Sequence, residues 1–182
     1  MNIDFFMNEA IQTELSESGI FLISLNRPEV LNSMNKDLIM GLLETMKKIN
    51  DDPKVRVVVI TGKGRGFCAG ADLANGGWTN EKNSSPGQAA ARNMEIGFNP
   101  LVRAITSSNK PVITAINGVA AGGGVGLALS GDLVVAAESA KFKLVFGPQL
   151  GIISDVGSSW FVPHLIGRAR ANGMGLLGED IM

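Results

Sequence analysis

Two short apolar runs, residues 55–61 and 111–116, each lead directly into a cluster of glycines. The first cluster holds Gly62, Gly64, Gly66, Gly70, Gly76 and Gly77, and the second holds Gly118, Gly122, Gly123, Gly124 and Gly126. Runs rich in β-branched residues with little polar alternation suit strands covered on both faces, as in parallel sheets. Glycine tolerates positive φ and lets a second backbone approach closely, at an entropic cost. With 23 glycines among 182 residues, the chain accepts that cost well beyond the usual ~7%. Both clusters then leave the carboxyl ends of parallel strands, the edge of an α/β sheet where ligands bind.

The flanking sequence supports an α/β class. Ile11, Thr13 and Leu15 alternate with polar residues, Ser18 and Gly19 form a turn, and residues 20–25 are rich in strand formers. Pro28 ends that strand, because it cannot donate to a ladder. Leu38, Ile39, Leu42, Leu43, Met46 and Ile49 recur at helical spacing, predicting a helix over residues 36–50 with Asn35 as its cap and Pro53 beyond its end. Residues 75–87 have the composition of a mobile loop, followed by a helix over residues 88–106. The second glycine cluster runs into a short apolar helix ending near Ser130, and residues 133–137 form a further strand.

Composition removes several function classes. A net charge of −1 offers no electrostatic attraction to nucleic acid. One cysteine cannot make an internal disulfide, which points to a reducing compartment, and a single histidine excludes His-pair metal motifs. Residues 1–10 carry Asp4 and Glu9 and no basic side chain, unlike a secretory leader. The longest weakly polar stretch, residues 111–131, is interrupted by Asn117, Ser130 and glycines, so it reads poorly as a membrane span. The expectation is a cytoplasmic protein with no membrane or nucleic-acid partner and no metal.

The spacing Gly118, Gly122, Gly124 resembles a dinucleotide cradle at a helix start. Reductases with this spacing need a tyrosine–lysine pair, and the chain has no tyrosine. Gly62, Lys63 and Gly64 fail as a P-loop, because no Gly-Lys-Ser/Thr occurs. Two alternatives remain open from residues alone. The loops 66–73 and 121–125 are either tight strand-to-helix turns or a pair that aims backbone N–H groups at one carbonyl, an oxyanion hole.

Phe67 to Leu73, residues 115–124 with Asp132, residues 151–157 and residues 165–170 together resemble the crotonase (enoyl-CoA hydratase/isomerase) superfamily. The likeness is collinear over residues 11–177. It implies a crotonase-like (ClpP/crotonase) spiral of ββα units, here one domain over residues 1–182 in which the family's C-terminal helices are missing. It also implies an acyl-CoA thioester substrate, with coenzyme A entering as part of the substrate and no separate cofactor. The backbone N–H groups of Ala71 and Gly123 would hold the thioester oxygen, and Val30, Leu31, Ala69, Gly70, Asp72 and Leu73 would contact coenzyme A. A homotrimer or dimer of trimers is implied as well.

Carboxylates distinguish members of such a family. The resemblance places the two water-bracketing glutamates of hydratases at Gly126 and at about Gly147, and residues 142–154 contain no acid. Asp155 stands where a single acid/base aspartate, as in ring-opening isomerases of phenylacetate breakdown, is expected. Its alternative reading is a helix cap ahead of Gly157, Ser158 and Ser159. An enoyl-CoA isomerase is therefore favoured over a hydratase or hydrolase, with a non-catalytic acyl-CoA-binding subunit as the reading from a different class. His164 and Cys68 read as structural, Asp72 and Asp132 as loop braces, and Trp78 as a possible wall of the acyl site.

Overall fold

A computed structural model describes residues 9–74 and 85–179. Its strands are β1 (Ile11–Leu15), β2 (Ile20–Leu25), β3 (Val57–Gly62), β4 (Gly66–Cys68), β5 (Val112–Ile116), β6 (Val119–Ala121), β7 (Leu133–Ala136) and β8 (Lys141–Lys143). The helices are α1 (Lys36–Asp51), α2 (Pro86–Asn93), α3 (Asn99–Thr106), α4 (Gly123–Leu129), α5 (Ser158–Ile166) and α6 (Arg168–Asn172). One sheet runs β1-β2-β3-β5-β7 and a smaller one β4-β6-β8. The β1–β2 hairpin is antiparallel and every other pairing is parallel. Three times the chain lays a longer strand in the first sheet and a three-residue strand in the second: β3 then β4, β5 then β6, β7 then β8.

Register follows the apolar pattern. Val58 pairs with Val112 and Ile113 with Leu133, which sends Phe21, Ile23, Val58, Ile60 and Val112 to a common buried face. Helix α1 covers that face with Leu38, Ile39, Leu42, Met46 and Ile49, all fully buried. The Asn35 side chain accepts from the Leu38 N–H at 2.9 Å and starts the helix as the sequence predicts.

Several expectations change. In β3 and β5 one face is buried and the other half-buried, so these strands are not fully covered on both sides. β7 is exposed throughout. The helix expected over residues 88–106 is α2 and α3 separated by a π-helical segment, Met94–Phe98, where the Asn99 N–H reaches back to the Met94 carbonyl. Pro100 lacks an N–H and its ring crowds the preceding turn, so a widened turn just before it keeps the two helices continuous. Pro86 and Gly87 belong to α2, which opens with a Ser85–Gln88 capping box. Most of the expected mobile loop, and Trp78 with it, lies outside the described residues. Among those residues, no helix is long and apolar enough to cross a membrane.

Candidate active site

The two glycine loops meet backbone to backbone. Gly70 has φ +96°, and a Cβ there would stand 2.8 Å from the Ala121 carbonyl oxygen and 3.2 Å from the Gly123 nitrogen. A Cβ on Gly124 would overlap the Cys68 carbonyl. Side chains at either position would force the loops apart, so glycine is required by contact as well as by conformation.

This contact aims two N–H groups. The Met34 N–H donates to the Gly70 carbonyl at 2.7 Å, and the Asp72 N–H donates to the Met34 carbonyl at 3.0 Å. In such a parallel bridge, Met34 to Ala71, the N–H of Ala71 itself points to the opposite side. Gly123 opens α4, where first-turn N–H groups have no intrahelical acceptor, and no side chain caps that helix. Among the backbone bonds of the described loops and turns, neither the Ala71 nor the Gly123 N–H donates.

Both residues border a cavity of about 200 Å³ that Ala69, Gly70, Asp72, Leu73 and Asp155 also line. Its remaining wall is mostly hydrocarbon, including Met94, Phe98, Phe146, Leu150 and Ile152. Val30 and Leu31 stand outside this cavity. Leu31 is tied to its rim, since its carbonyl accepts from the Ala69 N–H at 2.9 Å.

Asp155 is the acid that this cavity buries. Its Oδ1 is buried without a hydrogen-bond partner among the described residues. Burial pushes its pKa from 3.8 up to about 6, opposed only by a hydrogen bond from its own backbone. The helix-cap alternative does not describe the carboxylate. The backbone carbonyl of Asp155, not its side chain, accepts from the Ser158 N–H at 2.9 Å and from the Ser158 hydroxyl at 2.6 Å. Gly157, at φ +78°, caps α5 without a side-chain bond.

Val156 adopts φ +50°, a strained conformation for a β-branched residue. It packs against the first turn of α4: a Cβ on Gly123 would approach its Cγ2 to 2.9 Å, and a Cβ on Gly126 would overlap its carbonyl. A Cβ on Gly147 would likewise overlap the Gly175 carbonyl. At Gly126 and Gly147, a side chain would thus require the backbone carbonyl of Val156 or Gly175 to move.

The remaining candidates are supporting residues. Arg27 pairs with Asp72 at 2.9 Å and also donates to the Ser33 carbonyl. Burial pulls the Asp72 carboxyl upward, but Arg27 and the Ala74 N–H outweigh it and leave its pKa below the ordinary value. Asp132 accepts from the Val112 N–H at 2.8 Å and braces the entry to β5. Cys68 is fully buried, which pushes its thiol up to about 12 and fits packing rather than attack. His164 stacks on Trp160 and hydrogen-bonds its carbonyl within α5. Sequence reasoning missed Asn32, whose side chain joins Arg27, Lys63 and Gly66 across the rim, and Asn93, which lines the cavity.

A family model described as enoyl-CoA hydratase/isomerase matches residues 15–182. The chain is 47% identical over 168 residues to 1,2-epoxyphenylacetyl-CoA isomerase of Escherichia coli, covering 91% of this chain. It spans 62% of the length of that relative. Among solved structures it resembles an enoyl-CoA hydratase from Bacillus anthracis, with a TM-score of 0.84 and 34% identity over 94% of this chain and 64% of that one. It also resembles a monofunctional enoyl-CoA isomerase from M. smegmatis, with a TM-score of 0.74 and 33% identity over 96% and 70% of the respective chains. Fold, motif-bearing loops and matched length agree, and the chain belongs to the enoyl-CoA hydratase/isomerase family.

Proposed function

We propose that the chain binds an acyl-CoA thioester and shifts a double bond along its acyl group, with Asp155 as the single acid/base. The thioester oxygen is held by the N–H groups of Ala71 and Gly123. The Asp155 carboxylate takes a proton from the carbon next to the carbonyl. The electrons of that C–H bond move toward the thioester and leave an enolate oxygen facing the two donors. Removing one such donor from an oxyanion hole typically costs ~3 kcal/mol of transition-state stabilisation. Protonated Asp155 then returns the proton two carbons further along, as the original double bond breaks and a new one forms nearer the carbonyl. Nothing is added or lost, so the substrate and product are isomers.

One observation carries this reading. Asp155, whose Oδ1 lacks a hydrogen-bond partner among the described residues, shares a cavity with two undonated N–H groups, while a side chain at Gly126 or Gly147 would meet a backbone carbonyl. A pKa near 6 also suits the role, because the group is ionised at neutral pH and its conjugate acid still gives up a proton readily. The likeness to the E. coli isomerase, at 47% identity, supports the same choice.

The likeness to a solved hydratase keeps hydration as the competing reaction. A panel of 2-enoyl- and 3-enoyl-CoA thioesters, followed by absorbance and mass, separates the two. Double-bond migration changes absorbance at constant mass, whereas hydration adds one water. Hydration without migration overturns the isomerase reading, and thioester binding with no turnover assigns a non-catalytic acyl-CoA-binding role.

A further inference from the structure

Asp155 is not the only polar group stranded on the cavity wall. Asn93, the last residue of α2, is 8% exposed, and its Oδ1 is buried without a hydrogen-bond partner among the described residues. It lines the same cavity as Asp155, Ala71 and Gly123. The π-helical segment Met94–Phe98 begins just after it. Ala90, Asn93, Met94 and Phe98 all border the cavity. The spacing i, i+3, i+4, i+8 puts them on one stripe of the helix.

An unpaired buried amide destabilises a fold unless something completes its hydrogen bonds. A leucine of similar size would suit the neighbouring Ala90, Met94 and Phe98 better. An amide does not titrate near neutral pH, so Asn93 adds recognition to this site and no acid–base chemistry. A plain alkyl or alkenyl chain would desolvate the amide and leave it unpaired. A hydroxyl would satisfy it, donating to Oδ1 and able to accept from the amide N–H.

We propose that Asn93 is a specificity-determining residue that selects acyl-CoA thioesters bearing a hydroxyl on the acyl group over unsubstituted ones of the same length. This inference rests on the acyl-CoA reading above, but not on which reaction follows binding. Its test therefore uses saturated ligands that cannot isomerise. Affinities of hexanoyl-CoA and of its 3-, 4-, 5- and 6-hydroxy derivatives are measured by calorimetry for the natural chain and for Asn93→Leu. At least one hydroxy derivative is expected to bind the natural chain about tenfold or more tighter than hexanoyl-CoA, since a site built to hydrogen-bond a hydroxyl discriminates strongly against its absence. In Asn93→Leu that ratio falls to about one.

The melting temperature of ligand-free Asn93→Leu is expected to equal or exceed that of the natural chain, whereas an amide kept for structure would lower it when lost. Asn93→Ala reports the same ratio with a smaller side chain if leucine disturbs the wall. The inference is overturned if no hydroxy derivative is preferred or if the preference survives in both variants. Hexanoyl-CoA binding with no isomerisation of any enoyl-CoA would count against the proposed reaction alone. Failure of all five thioesters to bind would remove both readings.

Discussion

Replacing Asp155 by asparagine makes a catalytic carboxylate and a structural one predict opposite changes in stability. Burial raises the Asp155 pKa from 3.8 to about 6. The folded state therefore holds this proton more tightly than the unfolded state does. Below about pH 3.8 both states are protonated and the group costs nothing; as pH rises from there to about 6 stability falls, and the full penalty applies above about 6. A shift from 3.8 to about 6 corresponds to about 3 kcal/mol. The side chain is half-buried rather than sealed, and solvent screening reduces this to ~1–2 kcal/mol. Asparagine has the size of the protonated acid and no charge, and Oδ1 has no hydrogen bond to lose. Asp155→Asn is thus expected to raise Tm by about 2–6 °C at pH 7.5, for a chain of this size, and by little at pH 4. It is also expected to lower kcat for double-bond migration by ~10²–10⁴, the usual contribution of a positioned acid/base. In the natural chain, kcat/KM should rise with pH and level off above about 6. Thermal melts at both pH values, with absorbance assays of a 3-enoyl-CoA, measure all three quantities. A variant that melts lower at pH 7.5, or that isomerises within tenfold of the natural rate, would refute the assignment.

Two further outcomes follow from packing. Gly126→Glu, the substitution that would restore a hydratase carboxylate, collides with the Val156 carbonyl; it is expected to lose at least ~3 kcal/mol in urea unfolding and to hydrate no crotonyl-CoA, and a folded, hydrating variant would contradict that geometry. Cys68, buried with its thiol pushed up to about 12, is expected to react with iodoacetamide at pH 8 roughly 1,000-fold more slowly in the native chain than in urea, and comparable rates would show the loop to be open.

The sequence displays the elements whose side chains face a core on one consistent period. The hairpin and α1 stand where alternation and helical spacing put them, because their buried positions are large apolar residues such as Phe21, Ile23 and Leu42. β4, β6 and β8 have three residues each, too few for alternation to register. They form from pairing between loops that other strands bring together. The break between α2 and α3 was readable in principle from Pro100, whose missing N–H a regular helix of that length cannot absorb. The half-exposed faces of β3 and β5 and the exposed β7 are invisible to composition. A β-branched run has the same sequence whether or not something covers its second face.

The site was legible to the extent that it is made of backbone. Ala71 and Gly123 contribute N–H groups, and glycine patterning records where backbone must come close. Asp155 was legible as an acid in a region otherwise without one. Its environment was not, because Phe98, Gly123 and Phe146, which share its cavity, arrive from separate segments. Asn93 escaped notice for the complementary reason. A lone asparagine in a helix looks like a surface residue until the cavity on that face of the helix is known. The strongest constraint on the chemistry is consequently steric. Gly126 and Gly147 do more than lack a carboxylate: the carbonyls of Val156 and Gly175 occupy the space that any side chain there would need. An acid at Gly126 would require moving the carbonyl of the strained Val156, the residue next to Asp155. The backbone that keeps a side chain out of Gly126 is thus the same backbone that positions the proposed base, and an acid gained there would disturb Asp155.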